Sequence, residues 1–213
     1  MIVHYHEAMA MVPRATPTRG HLSLEDHHRT AWRLFSQGAT ELQNGDPRPF
    51  LFRVQPHPSL PMDVYLLRSP MAFDGAKARS SLRSVDLSEG TELTLSWLHL
   101  PSRSRLLTSP QEGRAAGKPR GQRYQPATEE WPENCRDKIH RHGWEVGGEI
   151  AVHRHGVFRL PGKGERLIGV AHCQARLRVT DPMLAAEAWL KGVSRKRGYG
   201  LGLLMPVKHG GDE

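Results

Sequence analysis

Asp181-Pro182-Met183-Leu184-Ala185-Ala186-Glu187-Ala188-Trp189-Leu190-Lys191, followed by Gly192-Val193-Ser194-Arg195-Lys196-Arg197-Gly198-Tyr199-Gly200-Leu201-Gly202-Leu203-Leu204, reads as a helix, a glycine-rich loop and the start of an apolar strand. Pro182 suits the first helical position, where its missing N–H costs no hydrogen bond. Leu184, Ala185, Ala188 and Trp189 fall on one helical face, and Leu201 to Val207 is short and apolar enough for a strand. The loop between them is longer than such a junction requires, and extra length there is commonly functional. Glycines leave backbone N–H groups uncovered, and Arg195, Lys196 and Arg197 add positive charge, the pairing that phosphates require. The segment therefore predicts contact with a polyanion through Gly192, Arg195, Lys196, Arg197, Gly198, Gly200 and Gly202. The plainer alternative is a helix closed by glycine beside a solvated run of cations.

Working outward, Arg166–Thr180 and Trp144–Leu160 read as strands separated by Pro161-Gly162-Lys163-Gly164, Ala127–His142 as a helix, and Thr91–Leu100 as an alternating strand. With the closing helix and strand, the order is βαββαβ. The first half repeats it. Met1–Val12 reads as a strand, and Ser23 caps a helix over Leu24–Gln37 with Asp26 three positions on. Phe50–Gln55 and Met62–Arg68 form a hairpin across Pro56–Pro61, Phe73–Leu82 is a weak helix, and Arg83–Ser88 is extended. The expected fold class is α+β, two tandem ferredoxin-like, RRM-like units over residues 1–89 and 90–213. Such an arrangement predicts a cleft with a basic floor, suited to a strand or hairpin of RNA.

Charge favours an anionic partner. Lys and Arg number 30 against 22 Asp and Glu, a formal charge of +8 and a pI near 9.9. The insertion 102–123 concentrates this, with Arg103, Arg105, Arg114, Lys118, Arg120 and Arg123 against Glu112, six cations less one acid. A net +5 there makes phosphate contact tight and salt-dependent, the alternative being a disordered basic linker. No apolar run approaches the roughly 20 residues that cross a bilayer, and no leader pattern opens the chain, which predicts a soluble cytoplasmic protein. Cys135 and Cys173 stand alone, without a CxxC pattern, and read as reduced packing residues. His4/His6, His140/His142 and His153/His155 have metal-like spacing but no evident further ligands, so no metal and no cofactor are expected. Trp32, Trp97, Trp131, Trp144 and Trp189 lie in periodic segments, where burial is their expected role, whereas Tyr199 sits in the loop, placed either to stack on a base or to pack beneath it.

These residues resemble the CasE-type CRISPR repeat endoribonucleases. That family's C-terminal signature is a glycine, a second two positions on, a base at plus five, and Gly-x-Gly-Leu from plus eight. Here the positions are Gly192, Ser194, Arg197, Gly200, Leu201, Gly202 and Leu203, with serine replacing one glycine and arginine standing where lysine is usual. The family's helix-start histidine and Leu-Phe exit match His28-Arg29-Thr30-Ala31-Trp32-Arg33-Leu34-Phe35, and its second strand matches Phe50-Leu51-Phe52-Arg53-Val54. Spacing from Leu34-Phe35 selects His28 over His27. The family's tyrosine three residues earlier is Glu25 here. The departures are also similar to the divergent relatives in type IV CRISPR systems, which stay bound in an effector complex.

The resemblance implies binding of a CRISPR repeat stem-loop, association with other Cas proteins, and metal-independent cleavage. The ribose 2'-OH would attack the adjacent phosphorus, leaving a 2',3'-cyclic phosphate and a 5'-OH. His28 is the implied catalytic acid or base, since imidazole titrates near neutrality. Arg197, Lys196 and Arg29 are the unranked candidates for stabilising the phosphorane. Helical spacing equally puts His28 on the stripe of Leu24, Ala31, Trp32 and Phe35, as a packed residue. Glu25 keeps a second reading open, a non-catalytic subunit that holds the crRNA hairpin. A general basic RNA-binding module is the third.

Overall fold

The computed structural model describes residues 1–14, 24–35, 49–75, 78–105, 122–160 and 166–207. In the first half these are β1 (Ile2–Pro13), α1 (Leu24–Phe35), β2 (Leu51–Pro56), β3 (Met62–Ser69), β4 (Asp74–Gly75), β5 (Ala78–Arg79) and β6 (Ser81–Asp86). One antiparallel sheet has the order β2-β3-β1-β6, that is, second, third, first, fourth strand of the unit. The second half supplies β7 (Glu92–His99), β8 (Arg103–Arg105), β9 (Gln122–Tyr124), α2 (Trp131–His140), β10 (Trp144–Val146), β11 (Ala151–Leu160), β12 (Arg166–Val179), α3 (Pro182–Lys191) and β13 (Met205–Pro206). Its order, β10-β12-β7-β13 with β11 also on β12, repeats the same pattern. Two sheets with one strand order make the chain α+β with tandem ferredoxin-like units.

The expected helix over Phe73–Leu82 is absent; the short ribbon β4–β5 and the start of β6 stand there instead. Register gives the reason. β3 runs along the C-terminal half of β1 and ends with Ser69 opposite His6, whereas β6 begins with Ser81 opposite Glu7 and runs along the other half. The connection only has to step across β1, so no helix is needed to carry the chain back along a strand. Ser80 closes the step, its N–H donating to the Phe73 carbonyl at 3.0 Å and its hydroxyl accepting from the Phe73 N–H at 2.9 Å.

Smaller differences also have local causes. The expected strand Trp144–Leu160 is broken, because Gly148 has φ +92 and the chain re-enters pairing only at Ala151. The last strand shortens to Met205–Pro206, paired with β7, and ahead of it Gly202 N–H bonds the Leu98 carbonyl of β7 at 2.8 Å. Leu184, expected on the buried face of α3, is 40% exposed, while Ala185, Ala188 and Trp189 are buried. The ends of the basic insertion pair as the ribbon β8–β9. Ser23, Arg114, Lys118 and Arg120 lie outside the described residues. Among the described residues, no helix is long and apolar enough to cross a membrane.

β1 buries opposite faces along its length: Val3 and Tyr5 in its first half, Ala8 and Ala10 in its second. Side chains alternate across a strand, so the buried face switches midway. The alanines join Phe35, Phe50, Phe52, Tyr65 and Leu67 under α1. Val3 and Tyr5 join Trp97, Trp144, Trp189, Cys135 and Cys173 in the core of the second half. The first sheet is thus covered by its own helix on one face and by the second unit on the other.

Arg68 fastens that second contact. Its side chain is 1% exposed, with Nε and Nη2 donating to Glu7 Oε1 at 3.1 and 3.0 Å, and Nη1 donating to the Leu204 and Trp189 carbonyls at 2.8 and 3.5 Å. Its guanidinium carbon lies 4.1 Å from the Trp189 ring centre and 4.8 Å from that of Tyr5. Removing one partner of such a buried, forked pair costs on the order of 3–5 kcal/mol, because the remaining charge and carbonyls lose their partners. Arg68→Ala is therefore expected to lower the unfolding free energy in urea by about that amount, and Arg68→Lys, lacking the fork, to recover little of it. A loss below about 1 kcal/mol would mean that the units do not depend on this contact.

Candidate nucleic-acid interface

Among the described residues β2 is an edge strand, paired with β3 alone, and the loop Gly192–Gly202 wraps round it. A Cβ on Gly192 would lie 3.2 Å from Leu51, and a Cβ on Gly200 would lie 3.0 Å from Phe52. Leu51 and Phe52 are consecutive, so they face opposite sides of the sheet, and the loop must pass from one side to the other. Close approach dictates the residue types. Gly202 has φ +89, and a Cβ there would lie 2.5 Å from the Ser194 nitrogen. Ser194, standing at the resemblance's glycine position, is buried, and its hydroxyl accepts from Leu100 N–H at 3.1 Å.

The N–H groups of Gly192, Gly200 and Gly202 donate to the carbonyls of Ala188, Arg197 and Leu98 at 2.7, 3.2 and 2.8 Å. Those glycines shape the loop, and their amides are engaged inside the protein. The side chains of Arg195, Lys196 and Arg197 are exposed. Lys196 has φ +61, the left-handed region, a conformation that costs a non-glycine residue about 1–2 kcal/mol. That turn starts the short 3-10 segment Arg197–Tyr199.

Here the loop meets α1. His28 Nδ1 is 2.6 Å from the Gly198 carbonyl oxygen. A carbonyl only accepts, so Nδ1 carries the proton and Nε2 is the basic nitrogen of the neutral ring. The half-buried imidazole has Tyr199 at 5.8 Å and Trp32 at 6.3 Å between ring centres. Lys196 Nζ lies 5.6 Å from the Tyr199 ring centre. Burial, and after it Glu25, pushes the Tyr199 phenol pKa up. Glu25 also pairs with Arg29 at 3.4 Å. Of the residues singled out in sequence, His28, Arg29, Lys196, Gly198 and Tyr199 are thus neighbours.

The others divide. Arg197 Nη1 donates to the Lys191 carbonyl at 2.6 Å and caps the end of α3. Arg103 bonds Glu130 and Glu133 at 2.9 and 2.7 Å, and hydrogen bonding to Glu133 raises its pKa. The backbones of Arg105 and Arg123 stand in the β8–β9 ribbon. Among the described residues no group of three or more His, Cys, Asp or Glu converges as metal ligands. Cys135 and Cys173 are buried with their sulfurs 3.3 Å apart and unbonded, and burial raises the Cys173 thiol pKa.

The cavity between the units, about 300 Å³, departs from the expected basic floor. Its lining includes Val54, Leu98, Phe158 and Leu201, alongside His27 and the Arg14–Asp63 pair at 3.0 Å. His27 Nδ1 lies 2.7 Å from the Tyr65 hydroxyl, and burial lowers the His27 pKa. Arg53, only a strand residue in sequence, is buried, donating to Ser96 Oγ at 3.1 Å and reaching His172 Nε2 at 3.3 Å. Burial brings its pKa down to about 10. Neither Arg14 nor Arg53 was separable in sequence from ordinary surface cations, because what distinguishes them is contact across the fold.

The solved structures that resemble this one include Thermus thermophilus Cse3 bound to an RNA representing a pre-cleavage complex, at TM-score 0.67 and 19% identity, covering 97% of this chain and 100% of that one. Cas6e from Escherichia coli K-12 follows at 0.62 and 18%, covering 95% and 98%. A chain of a CRISPR RNA-guided surveillance complex gives 0.55 and 20%, covering 94% and 99%. At these identities the likeness establishes the fold. No curated protein matches the chain in sequence. A family model described as CRISPR associated protein matches residues 5–206, nearly the whole length, and the chain belongs to that CRISPR-associated family.

Proposed function

We propose that this protein is an endoribonuclease that processes CRISPR precursor RNA, binding the repeat stem-loop, cutting it without a metal, and staying on the product within an effector complex of Cas proteins. The carrying observation is the bond from His28 Nδ1 to the Gly198 carbonyl, which presents Nε2 as a base beside the exposed cations of the loop. In the reaction, Nε2 of His28 takes the proton of the 2'-OH as the oxygen bonds phosphorus. The P–O5' bond then breaks, and the leaving oxygen takes up a proton. Lys196 and Arg29 face the charge that develops on the phosphorane.

Tyr199 supplies the second proton. Burial and Glu25 both favour its neutral phenol, which makes it a donor rather than a base. This assigns to the loop a proton donor, while Glu25 stands at the position of the family's tyrosine. The competing reading, a crRNA hairpin-binding subunit without chemistry, is favoured by Glu25 alone.

Two measurements separate these readings. Labelled repeat RNA incubated with the protein in excess chelator is expected to be cut to a 2',3'-cyclic phosphate, and a 2'-deoxy scissile nucleotide to stop the reaction. Intact RNA leaves the non-catalytic reading, and loss of cutting in chelator alone removes metal independence. For the residues, His28→Ala is expected to slow single-turnover cleavage by about 10²–10⁴-fold, the usual worth of a positioned acid or base, while the RNA stays bound. Tyr199→Phe should show a similar loss, relieved when the 5' leaving oxygen is replaced by sulfur, which departs without an acid. A Tyr199→Phe defect that the sulfur substrate does not relieve would assign Tyr199 to packing.

A further inference from the structure

A second cavity, about 350 Å³, lies between the C-terminal part of α2, the chain leaving β7 and the first cation of the glycine loop. Lys138 lines it from α2 and Arg141, three residues on, from the cap of that helix, and Arg195 lines it from the loop. Asp137 is its lining acid. Arg103 also borders it, but its guanidinium is engaged by Glu130 and Glu133. His99 is buried, with Nε2 3.2 Å from Asn134 Oδ1 and Nδ1 without a partner. Burial lowers its pKa to about 4, so the ring is neutral and brings no charge to the cavity near neutral pH.

The cations here repel one another. Burial lowers the Lys138 pKa, and Arg195, Arg141 and Arg197 lower it further. His142, one residue beyond Arg141, is depressed in the same way by burial, then by Lys138 and Arg197, with Glu187 opposing. A protein stores such repulsion at a cost, and an anion of matching size relieves it. The loop ties this place to the other. Arg195 is three residues before Gly198, whose carbonyl holds His28, so their Cα atoms lie within about 11 Å.

We propose that this cavity is a phosphate-binding subsite, in which Lys138, Arg141 and Arg195 hold a backbone phosphodiester of the bound RNA other than the one that is cut. It rests on the RNA-processing reading for the identity of its ligand and extends that reading to Lys138 and Arg141, at the end of α2. One strand laid over the loop then has an imidazole at one phosphate and a cationic cup at another, which fixes its register.

The test has two arms. In the first, repeat RNA is titrated into wild type and Lys138→Ala/Arg141→Ala over a range of salt, with Arg83→Ala/Arg178→Ala removing equal charge from exposed strand positions elsewhere. The pocket variant is expected to bind about tenfold more weakly near physiological salt, and its plot of log affinity against log salt to flatten by about 0.7–0.9, one phosphate contact. Unchanged affinity and slope, or an equal change in the distant pair, overturns the subsite. In the second arm, inorganic phosphate is titrated while the arginine side-chain N–H resonances are followed by NMR. Saturable shifts in wild type that vanish in Arg195→Ala, a single exposed substitution that leaves α2 intact, support the subsite, and their absence in wild type overturns it. Should wild type bind no repeat RNA yet saturate with phosphate, the RNA reading falls and the anion site stands.

Discussion

The guanidinium of Arg68 sets the position of everything that faces RNA in this reading. Buried between the units, it has to place its N–H groups on acceptors, and it finds one carboxylate on its own sheet and two carbonyls on the other unit. Those carbonyls belong to Trp189 and Leu204, which bracket the glycine loop. A single planar cation, stacked against Tyr5 and Trp189, therefore pins both stems of the loop to the first unit. With its stems fixed there, the loop's path round the edge of β2 and the arrival of Gly198 at His28 follow.

That path also settles a liability. An uncovered edge strand offers unpaired backbone groups to other chains, and β2 is such an edge. The loop reaches it because Gly200 allows the chain within van der Waals distance of Phe52, and the loop closes on itself because Gly202 fits against Ser194. The glycines that first suggest phosphate cradling thus serve backbone proximity, and the loop's cations are what it turns outward. The His28 imidazole gains its tautomer from the same loop, through the Gly198 carbonyl.

The succession of strands along the chain and most helices were legible because their signals are local: alternation in β7, Pro182 beside Asp181 at the start of α3, whose carboxylate accepts from the Met183 and Leu184 N–H groups at 3.0 Å. The helix wrongly expected over Phe73–Leu82 was decided by register on β1, which no window of ten residues contains. His28 was singled out by the family resemblance, through its spacing from Leu34-Phe35, but its hydrogen bond spans 170 positions and appears only in the fold. Lys138 and Arg141 carry no local signal, and only the fold sets Arg195 beside them at one cavity. Arg53 and Arg68 looked like polar positions of strands, and their burial follows from the docking of the second unit.

Charge pairing leaves room for the proposed RNA on a surface already rich in ion pairs. Arg29 with Glu25 and Arg103 with Glu130 and Glu133 are solvent-facing pairs, whose attraction water and salt largely screen. A phosphate offers comparable geometry with release of counterions, so these arginines can exchange carboxylate for phosphodiester at little cost. Arg68 and Arg53 cannot, because their donors are buried in the contact between units. The cations therefore fall into two classes by burial: those that hold the two units in register, and those that the resulting surface leaves available to a polyanion.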